Sequence, residues 1–587
     1  MAKKWRIHAH DAARIDSLAR ATGVPGVVAQ LLICRGVHDP LLARDFLAPK
    51  LTALRDPEEL PGAVQAAERI TRAIAQKQPI VVYGDYDVDG IAGAALLWRC
   101  LKLLGANVSY YVPHRLDEGY GLNDEALARL AGEGAKLIVT VDCGIGSLKE
   151  SETARWLGEE LIITDHHEPG PSLPYAAAIV HPRLPGSNYP FAGLCGAAVA
   201  FKLAWLLCKQ ASGSKKVSER MRNFLLEATG LAAVATVADV VPLVDENRVL
   251  VCHGLASLRQ RASLGMSALL KVTGLDAKRG FDGDDVGFTL GPRLNAAGRL
   301  GQARLAVELL TTDNPSRAAE LAEYIDQLNG SRQSLERSVY LAANKQAQEQ
   351  FDPAGDAALV LAERGWHPGV IGIVAGRLAE KYHRPVVLLA LDELGTKLAA
   401  GSARSVPGFN LHQALAACGR HLASHGGHAA AAGLKIDEAA IDGFRADFCE
   451  YASAEIEAVD RTAELWIDAE APLAALSLKT VGQIERLAPF GAGNPRPVLC
   501  ASGVKVAQPP KRIGGGGRHL SLRLVQHDVS LRAVAFGGGD WADELPSGDE
   551  PLAIAFRPVI NEFRGRRSVE LHLTDWQARS HVEATGE

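Results

Sequence analysis

The chain has no Cys-x-x-Cys pair among its nine cysteines, and no regular spacing links them. A thiolate zinc site and a disulfide framework are thereby excluded as organising chemistry, and a reducing compartment is expected. No uncharged apolar run reaches the ~18 residues of a membrane span. The opening residues, Met1 to His8, lack the apolar core of a secretory signal. A protein with no membrane association, located in the cytoplasm, is therefore expected. There is no excess of positive charge either: the formal balance is −5. That excludes a globally basic nucleic-acid coat while leaving room for a local basic channel. Internal repeats and long low-complexity tracts are absent as well. What the chain does have is apolar material, 47% of its 587 residues. At about 150 residues per domain, its length suggests three or four structural units.

Residues 1–60 are mixed in character, with Asp39-Pro40 and Asp56-Pro57 as breakers, and are expected to form an N-terminal segment. From about residue 61 the pattern alternates. Strand-like runs at 79–84, 107–112, 136–141, 160–164 and 177–181 are separated by helix-like stretches. This is the βαβ rhythm of a parallel sheet covered by helices. Helices rich in Ala, Leu and Val are expected over 192–208 and 219–240, with Pro242 stopping the second. A first lobe over 61–310 follows from this pattern. The Ala-, Glu- and Gln-rich stretch at 315–350 predicts a long connecting helix within 311–352. A second α/β rhythm fills 353–458, with strands at 358–361 and 386–389 around a helix over 370–381. Beyond it, five runs near 498–507, 519–526, 529–536, 552–560 and 567–574, with Gly-rich turns, predict a small OB-like barrel over 459–578. The expected fold class is α/β: two lobes joined by a long helix, plus a C-terminal OB-like β-barrel.

Three of the strand-like runs end in chemistry. Val81-Val82-Tyr83-Gly84 leads into Asp85-Tyr86-Asp87-Val88-Asp89-Gly90. Leu137 to Val141 leads into Asp142, and Leu161 to Thr164 leads into Asp165-His166-His167. In open α/β sheets the C-terminal strand edge is where ligands bind. A lone Asp at a strand end is ordinarily a turn or cap residue. Three such ends in one segment, one carrying Asp-His-His, point instead to a shared task. Crowded carboxylates repel unless a cation sits among them. Asp and His together suit Mn²⁺ or Mg²⁺ better than a thiolate set would. These residues read as a metal-dependent hydrolase acting on a phosphate ester.

Together with Ala238-Asp239, the three motifs resemble the four motifs of the DHH phosphoesterase family. Gly401-Ser402-Ala403-Arg404 and Gly426-Gly427-His428 resemble the family's second lobe. The run Gly291 to Leu300 (GPRLNAAGRL) and the C-terminal barrel resemble its RecJ branch. The resemblance covers roughly residues 60 to 578. It implies a single-stranded-DNA-specific 5′→3′ exonuclease that releases 5′-mononucleotides in recombination and in base-excision and mismatch repair. It implies Mn²⁺ or Mg²⁺, as two ions, held by Asp87, Asp89, Asp142, His166 and Asp239, with Asp142 as the bridge. His167 would lie beside the ions, at the scissile phosphate or supporting a ligand, and Asp85 behind or near one of them. Related pyrophosphatases carry a His four residues before the position of Asp87. Tyr83 stands there in this chain, so one metal site is expected to be less complete. Two cations about 3.5–4 Å apart activate water and stabilise the oxygens of an in-line displacement, so no separate protein base is expected.

Anion recognition is expected from the Ser402 hydroxyl and the planar Arg404 fork. Arg115 would join them, and His428 lies in a Gly-rich turn where backbone can approach a phosphate. Arg293, Asn295, Arg299, Arg332 and Gln333 are expected between the lobes on the DNA backbone; for each, ordinary helix-surface polarity is the alternative. In the barrel, Lys511-Arg512, Arg518-His519 and Arg564-Gly565-Arg566-Arg567 near Phe563 are expected to track single-stranded backbone. The expected partner is single-stranded DNA with a 5′ end, acted on by a monomer. Single-strand-binding protein and a helicase are the protein partners the resemblance suggests. Two rivals remain. A nanoRNase, cyclic-dinucleotide phosphodiesterase or pyrophosphatase of the same superfamily would need neither barrel nor basic turns. An inactive DNA-binding scaffold need not retain a costly cluster of like charges.

Overall fold

Apolar runs rich in Val, Ile and Leu can be buried on both faces only if helices cover both sides of their sheet. That is the fate of β1 (Ile80–Gly84), β2 (Val108–Tyr111), β3 (Leu137–Val141), β4 (Glu160–Thr164) and β5 (Ala178–Val180). They form a parallel sheet in the order β2-β1-β3-β4-β5. The computed structural model describes residues 3–578 apart from 116, 214–215, 279, 351, 353–354, 457–463 and 547–549. The chain divides into two units. One comprises Leu54–Val241 and Asp245–Thr462, and the other Met1–Ala53, Pro242–Val244 and Ala463–Glu587.

In the larger unit, register sets the geometry of one sheet edge. Gly84 pairs with Val141, and the ladder runs one residue further. The amide of Asp85 donates to Val141 O at 3.2 Å and that of Asp142 to Thr164 O at 3.0 Å. Asp85, Asp142 and Asp165 therefore leave adjacent strands side by side. Three largely buried helices back this edge: α1 (Val88–Leu103), α2 (Gly196–Ala211) and α3 (Glu219–Ala238). A single π-helical turn, Val286–Leu290, runs into α4 (Gly291–Arg299). The 36-residue α5 (Pro315–Gln350) packs against α4 at one end and α6 (Pro368–Tyr382) at the other. The second lobe is a mixed sheet of β6 (Leu359–Arg364), β7 (Val386–Leu391), β8 (Ala399–Arg404), β9 (Leu422–Gly427) and β10 (Ala431–Ile436), in the order β9-β10-β8-β7-β6. Only β6 and β7 run parallel. β8 is thus an interior strand, so Ser402 and Arg404 do not lie on a solvated edge.

The smaller unit contains β11 (Leu499–Ile513), β12 (His519–Gln526), β13 (Val529–Ala535), β14 (Leu552–Phe563) and β15 (Arg566–Gln577). The sheet closes on itself because β14 pairs with both β15 and β11. Closure removes the exposed edges an open sheet would present. Leu520, Leu522, Leu524, Ile554, Phe556 and Leu571 fill its interior. The same core takes in Ile15, Leu18, Val28, Leu31 and Leu32 from two N-terminal helices, Ala12–Thr22 and Gly26–Cys34. The N-terminal strand Lys4–Ile7 pairs in parallel with Glu464–Ile467. Two helices of the N-terminal segment expected over 1–60 thus share the barrel's core. The segment's first 53 residues belong to the barrel unit: the amphipathic Ala12–Thr22 and the almost wholly apolar Gly26–Cys34 are too short to bury their apolar residues without an outside core. The boundary expected at 458/459 lies outside the described residues. Among the described residues, no single helix is long and apolar enough to cross a membrane.

Candidate active site

Asp87 begins the site as an ordinary helix cap. Its Oδ1 accepts from Asp89 N at 2.9 Å and Gly90 N at 3.2 Å, closing the N-terminus of α1. Two residues on, the buried carboxylate of Asp89 accepts from two amides at the start of α2, Gly196 N at 2.6 Å and Ala197 N at 2.7 Å. A helix N-terminus suits such an anion. Asp142 occupies left-handed backbone, φ +66°, uncommon for a residue with a Cβ. It crowds α2 so closely that a Cβ at Gly196 would lie 2.6 Å from its own Cβ. His166 Nε2 then lies 3.1 Å from Asp142 Oδ1, 3.6 Å from Asp239 Oδ2 and 3.8 Å from Asp89 Oδ2.

Three triplets have donor atoms within 4.8 Å of one another: Asp89, His166 and Asp239; Asp85, Asp87 and Asp142; and Asp142, His166 and His167. Asp142 and His166 are each shared by two of them. Asp85 Oδ1, Asp142 Oδ1, Asp239 Oδ2 and His166 Nε2 are buried without a hydrogen-bond partner. Burial, then repulsion by Asp87, holds Asp85 well above the usual carboxylate range. Burial with Asp89 and Asp87 does the same to Asp142 and raises Asp239 to about 9. Asp89 is also raised, chiefly by burial. Burial lowers His166, favouring the neutral ring that can ligate a metal. Unpartnered buried oxygens are costly as they stand. Oxygen donors plus one neutral imidazole fit hard divalent cations such as Mn²⁺ or Mg²⁺.

Asp165 turns away from this cluster. It accepts from His166 N at 2.7 Å and Ile145 N at 3.0 Å, and its Oδ1 lies 2.8 Å from His167 Nδ1. Burial opposes charge on both partners, but their pairing wins. His167 is raised to about 9 and Asp165 lowered to about 2. His167 is therefore a held cation beside the acids. Tyr120 Oη sits 3.1 Å from the same Nδ1 and donates to Asp142 O at 3.0 Å. Tyr120 is not among the expected site residues, and Asp165, expected as part of the Asp-His-His strand end, holds His167 instead of joining the acid cluster. A bonding partner for His167 leaves no mark at sequence level. Tyr83 is also clear of the cluster: its hydroxyl donates to Gly121 O at 2.9 Å and accepts from Asn123 Nδ2 at 3.2 Å.

The second lobe faces this edge. The His428 ring lies nearly parallel to His167, 9° between planes and 6.3 Å between centroids. Both line a cavity of about 340 Å³ with Tyr120 and the Gly144–Ser147 loop. Arg404 Nη1 donates to Ser402 Oγ at 3.2 Å and to Ala403 O at 2.8 Å. The pair presses on α6 where Gly372 has no side chain; a Cβ there would be 2.7 Å from Ser402 Oγ. Arg299 donates to Gly369 O at 3.1 Å. Burial, then the charges of Arg115, Arg404 and Arg332, lowers its guanidinium to about 10. Arg404 is lowered by burial and Arg115, and Arg115 stacks over Tyr86 at 4.7 Å. Asn295 Oδ1 accepts from Val88 N at 3.2 Å. It lines a cavity of about 200 Å³ with Arg299, Arg332 and Ala238.

Two expected residues stand apart. Arg293 is committed to Asp326 at 2.7 Å and to Thr289 O at 2.8 Å. Gln333 is exposed, whereas Arg332 is buried against Asn329 and Glu336. Successive helical residues point about 100° apart, and here that step takes Arg332 into the packed face and Gln333 out to solvent.

Family models match three stretches: the DHH family N-terminal domain over 79–233, the DHHA1 domain over 355–454 and the RecJ OB domain over 467–575. The chain is 37% identical to the single-stranded-DNA-specific exonuclease RecJ of Bacillus subtilis over 572 residues, 97% of this chain and 70% of that protein. It is 33% identical to the exonuclease of the same name from Escherichia coli, covering 93% of this chain and 95% of the relative. Among solved structures, RecJ in complex with Mn²⁺ from Thermus thermophilus matches with a TM-score of 0.83 at 32% identity, over 99% of this chain and 80% of that one. The Mg²⁺ complex matches at 0.77 and 30% identity, over 98% and 79%.

Proposed function

This chain belongs to the RecJ family of DHH phosphoesterases, and from that membership we propose that it is a metal-dependent, single-stranded-DNA-specific 5′→3′ exonuclease. One observation carries the reading. Buried, unpartnered acids and a neutral His lie in the same unit as a cluster of guanidinia that repel one another. One group calls for cations and the other for an anion, and a phosphodiester strand with divalent ions satisfies both.

Asp87, Asp89, Asp142, His166 and Asp239 would hold the ions, with Asp142 as the shared ligand, and Asp85 lies beside Asp87. When bound, the ions supply water activation and charge neutralisation at phosphorus. Ser402, Arg404 and Arg115 bind the leading 5′ phosphate by charge-assisted hydrogen bonds, with Arg299, Arg332, Asn295 and His428 completing the cleft. With Nδ1 held by Asp165, His167 turns its other nitrogen toward the scissile phosphate. One water is consumed, and the bond between phosphorus and the terminal nucleotide's 3′ oxygen breaks. The products are a 5′-mononucleotide and a strand with a new 5′ phosphate. The barrel holds more distant backbone. The protein acts in the cytoplasm as a monomer, in recombination and repair, with single-strand-binding protein and a helicase as partners. A small-substrate phosphodiesterase is disfavoured by the closed barrel, and an inactive scaffold by the intact acid set.

The test is digestion of end-labelled single strands with Mn²⁺, following product size over time with the 5′ or the 3′ end blocked. Mononucleotides from the 5′ end are expected. Degradation past a blocked 5′ end, or no degradation, would overturn the reading.

A further inference from the structure

Burying a Phe side chain stabilises a fold, yet Phe288 is 80% exposed. It sits at the centre of the π-helical turn Val286–Leu290, and turns of this kind often occur at functional sites. The neighbours give this one a location. A Cβ on Gly287 would lie 3.8 Å from Val237, and one on Gly291 would lie 3.5 Å from Ala238. The turn therefore rests on the end of α3, which is capped by the ligand candidate Asp239. Val240 follows there at φ +59° and is 70% exposed. The same two glycines line the 200 Å³ cavity with Asn295, Arg299 and Arg332. Phe288 thus projects into solvent from a turn whose glycines on either side line the cavity shared with the guanidinia.

We propose that Phe288 is a stacking platform for a base of the single strand entering this cleft. The inference deepens the functional reading above and rests on it. Phosphates of the strand engage Arg299 and Arg332, and the base of an adjacent nucleotide lies on the ring. Every base has a π-face, so the platform is sequence-tolerant. In a duplex, neighbouring pairs already cover those faces, so the platform also favours single strands. Phe288 is a positioning residue here, acting on strand binding and not on bond cleavage.

The experiment measures affinity of the full chain for a short 5′-phosphorylated strand by fluorescence anisotropy in chelator, which reads binding without hydrolysis. KM and kcat are measured in parallel with Mn²⁺. Wild type, Phe288→Ala, Phe288→Leu and Phe288→Trp are compared on an ordinary strand and on one of abasic residues. Phe288→Ala is expected to weaken binding of the ordinary strand roughly 5- to 100-fold, the range of one base–aromatic stack. KM should rise in step while kcat holds, and Trp but not Leu should restore affinity. On the abasic strand, wild type and Phe288→Ala should coincide. The platform is overturned if Phe288→Ala matches wild type on the ordinary strand, loses equally on the abasic one, or is fully rescued by Leu. If wild type binds and cleaves but Phe288→Ala is indistinguishable from it, only the platform fails. If wild type neither binds nor cleaves single strands, the functional reading fails and takes the platform with it.

Discussion

Two buried clusters of charge lie in the larger unit and are opposite in kind. In the first, Lys202 is wholly buried and donates to Glu246 and to Arg55 O. Arg55 in turn pairs with Asp245 at 2.6 Å and Glu246 at 3.3 Å, and Tyr189 donates to Glu246. Each buried charge there has an opposite. In the second, Asp89, Asp142 and Asp239 gather around His166 with Asp85 and Asp87 beside Asp142, and four of the cluster's polar atoms have no partner. Burial alone therefore does not mark function. A self-neutralised cluster is architecture, whereas an unneutralised one has the donor set of a cation site.

The sharpest way to break this contrast is to remove a charge from each cluster. Asp89→Ala or His166→Ala should lower hydrolysis of single strands by about 10³-fold or more, as loss of several kcal/mol of metal-borne stabilisation implies. For Asp239→Ala, which removes an acid whose Oδ2 has no hydrogen-bond partner, unfolding in metal-free buffer should show stability held or raised, because repulsion by Asp89 and Asp87 is relieved. Chelation should abolish activity, with Mn²⁺ restoring it. Lys202→Met should do the reverse. It leaves Glu246 buried beside fewer cations, so urea unfolding should show a loss of roughly 3–5 kcal/mol while activity per folded molecule persists. Adding Glu246→Leu should recover most of that stability. If both single changes destabilise alike, the distinction between the clusters is void.

Arg404→Ala extends the test to the cationic side. Loss of a charge-assisted contact costs roughly 1.5–3 kcal/mol, so cleavage of 5′-phosphorylated strands should slow more than that of 5′-hydroxyl strands. Equal slowing would remove Arg404 from the 5′ pocket. A smaller effect is expected at the barrel, where Arg566 and Arg567 are exposed at the start of β15. Changing both to Ala should weaken binding of long strands only and reduce the salt slope by about 1.4, at 0.7 per single-strand phosphate contact. Equal loss on the shortest strands would place the effect elsewhere.

The smallest effect concerns Glu159, a buried carboxylate with neither partner nor site. Burial, only partly offset by Lys136, raises it to about 7. Both states are protonated well below pH 4.5, so it contributes nothing there. As pH rises from there toward 7 the folded state retains the proton the unfolded state loses, so stability falls. Thermal unfolding of Glu159→Gln should exceed wild type at pH 8 and match it near pH 4. Coincident curves at both pH values would mean the carboxylate is compensated.

Local pattern made much of this architecture readable. The five runs drawn at 79–181 are the strands of the parallel sheet, and the five beyond 498 are the barrel strands, because alternation and breakers are short-range signals. The clustered acids at 85–89 and the Asp-His-His at 165–167 are legible for the same reason. The distant partners are not. Gly196 and Ala197, which hold Asp89, are unremarkable in a run of small residues, and Asp165 looks like one more ligand until its bond to His167 is seen. Arg332 and Gln333 are equivalent on paper, and only packing against Asn329 and Glu336 separates them.

The sequence by itself determined the elements, the strand ends that carry acids and histidines, and the kind of cation such donors accept. Each of these depends on residues a few positions apart. Tertiary structure alone decided the rest. It joined Lys4–Ile7 to Glu464–Ile467, brought Arg115, Arg299, Arg332 and Arg404 into mutual repulsion, and set His428 parallel to His167. Such contacts arise from closing loops of tens to hundreds of residues, whose entropic cost only the completed core repays.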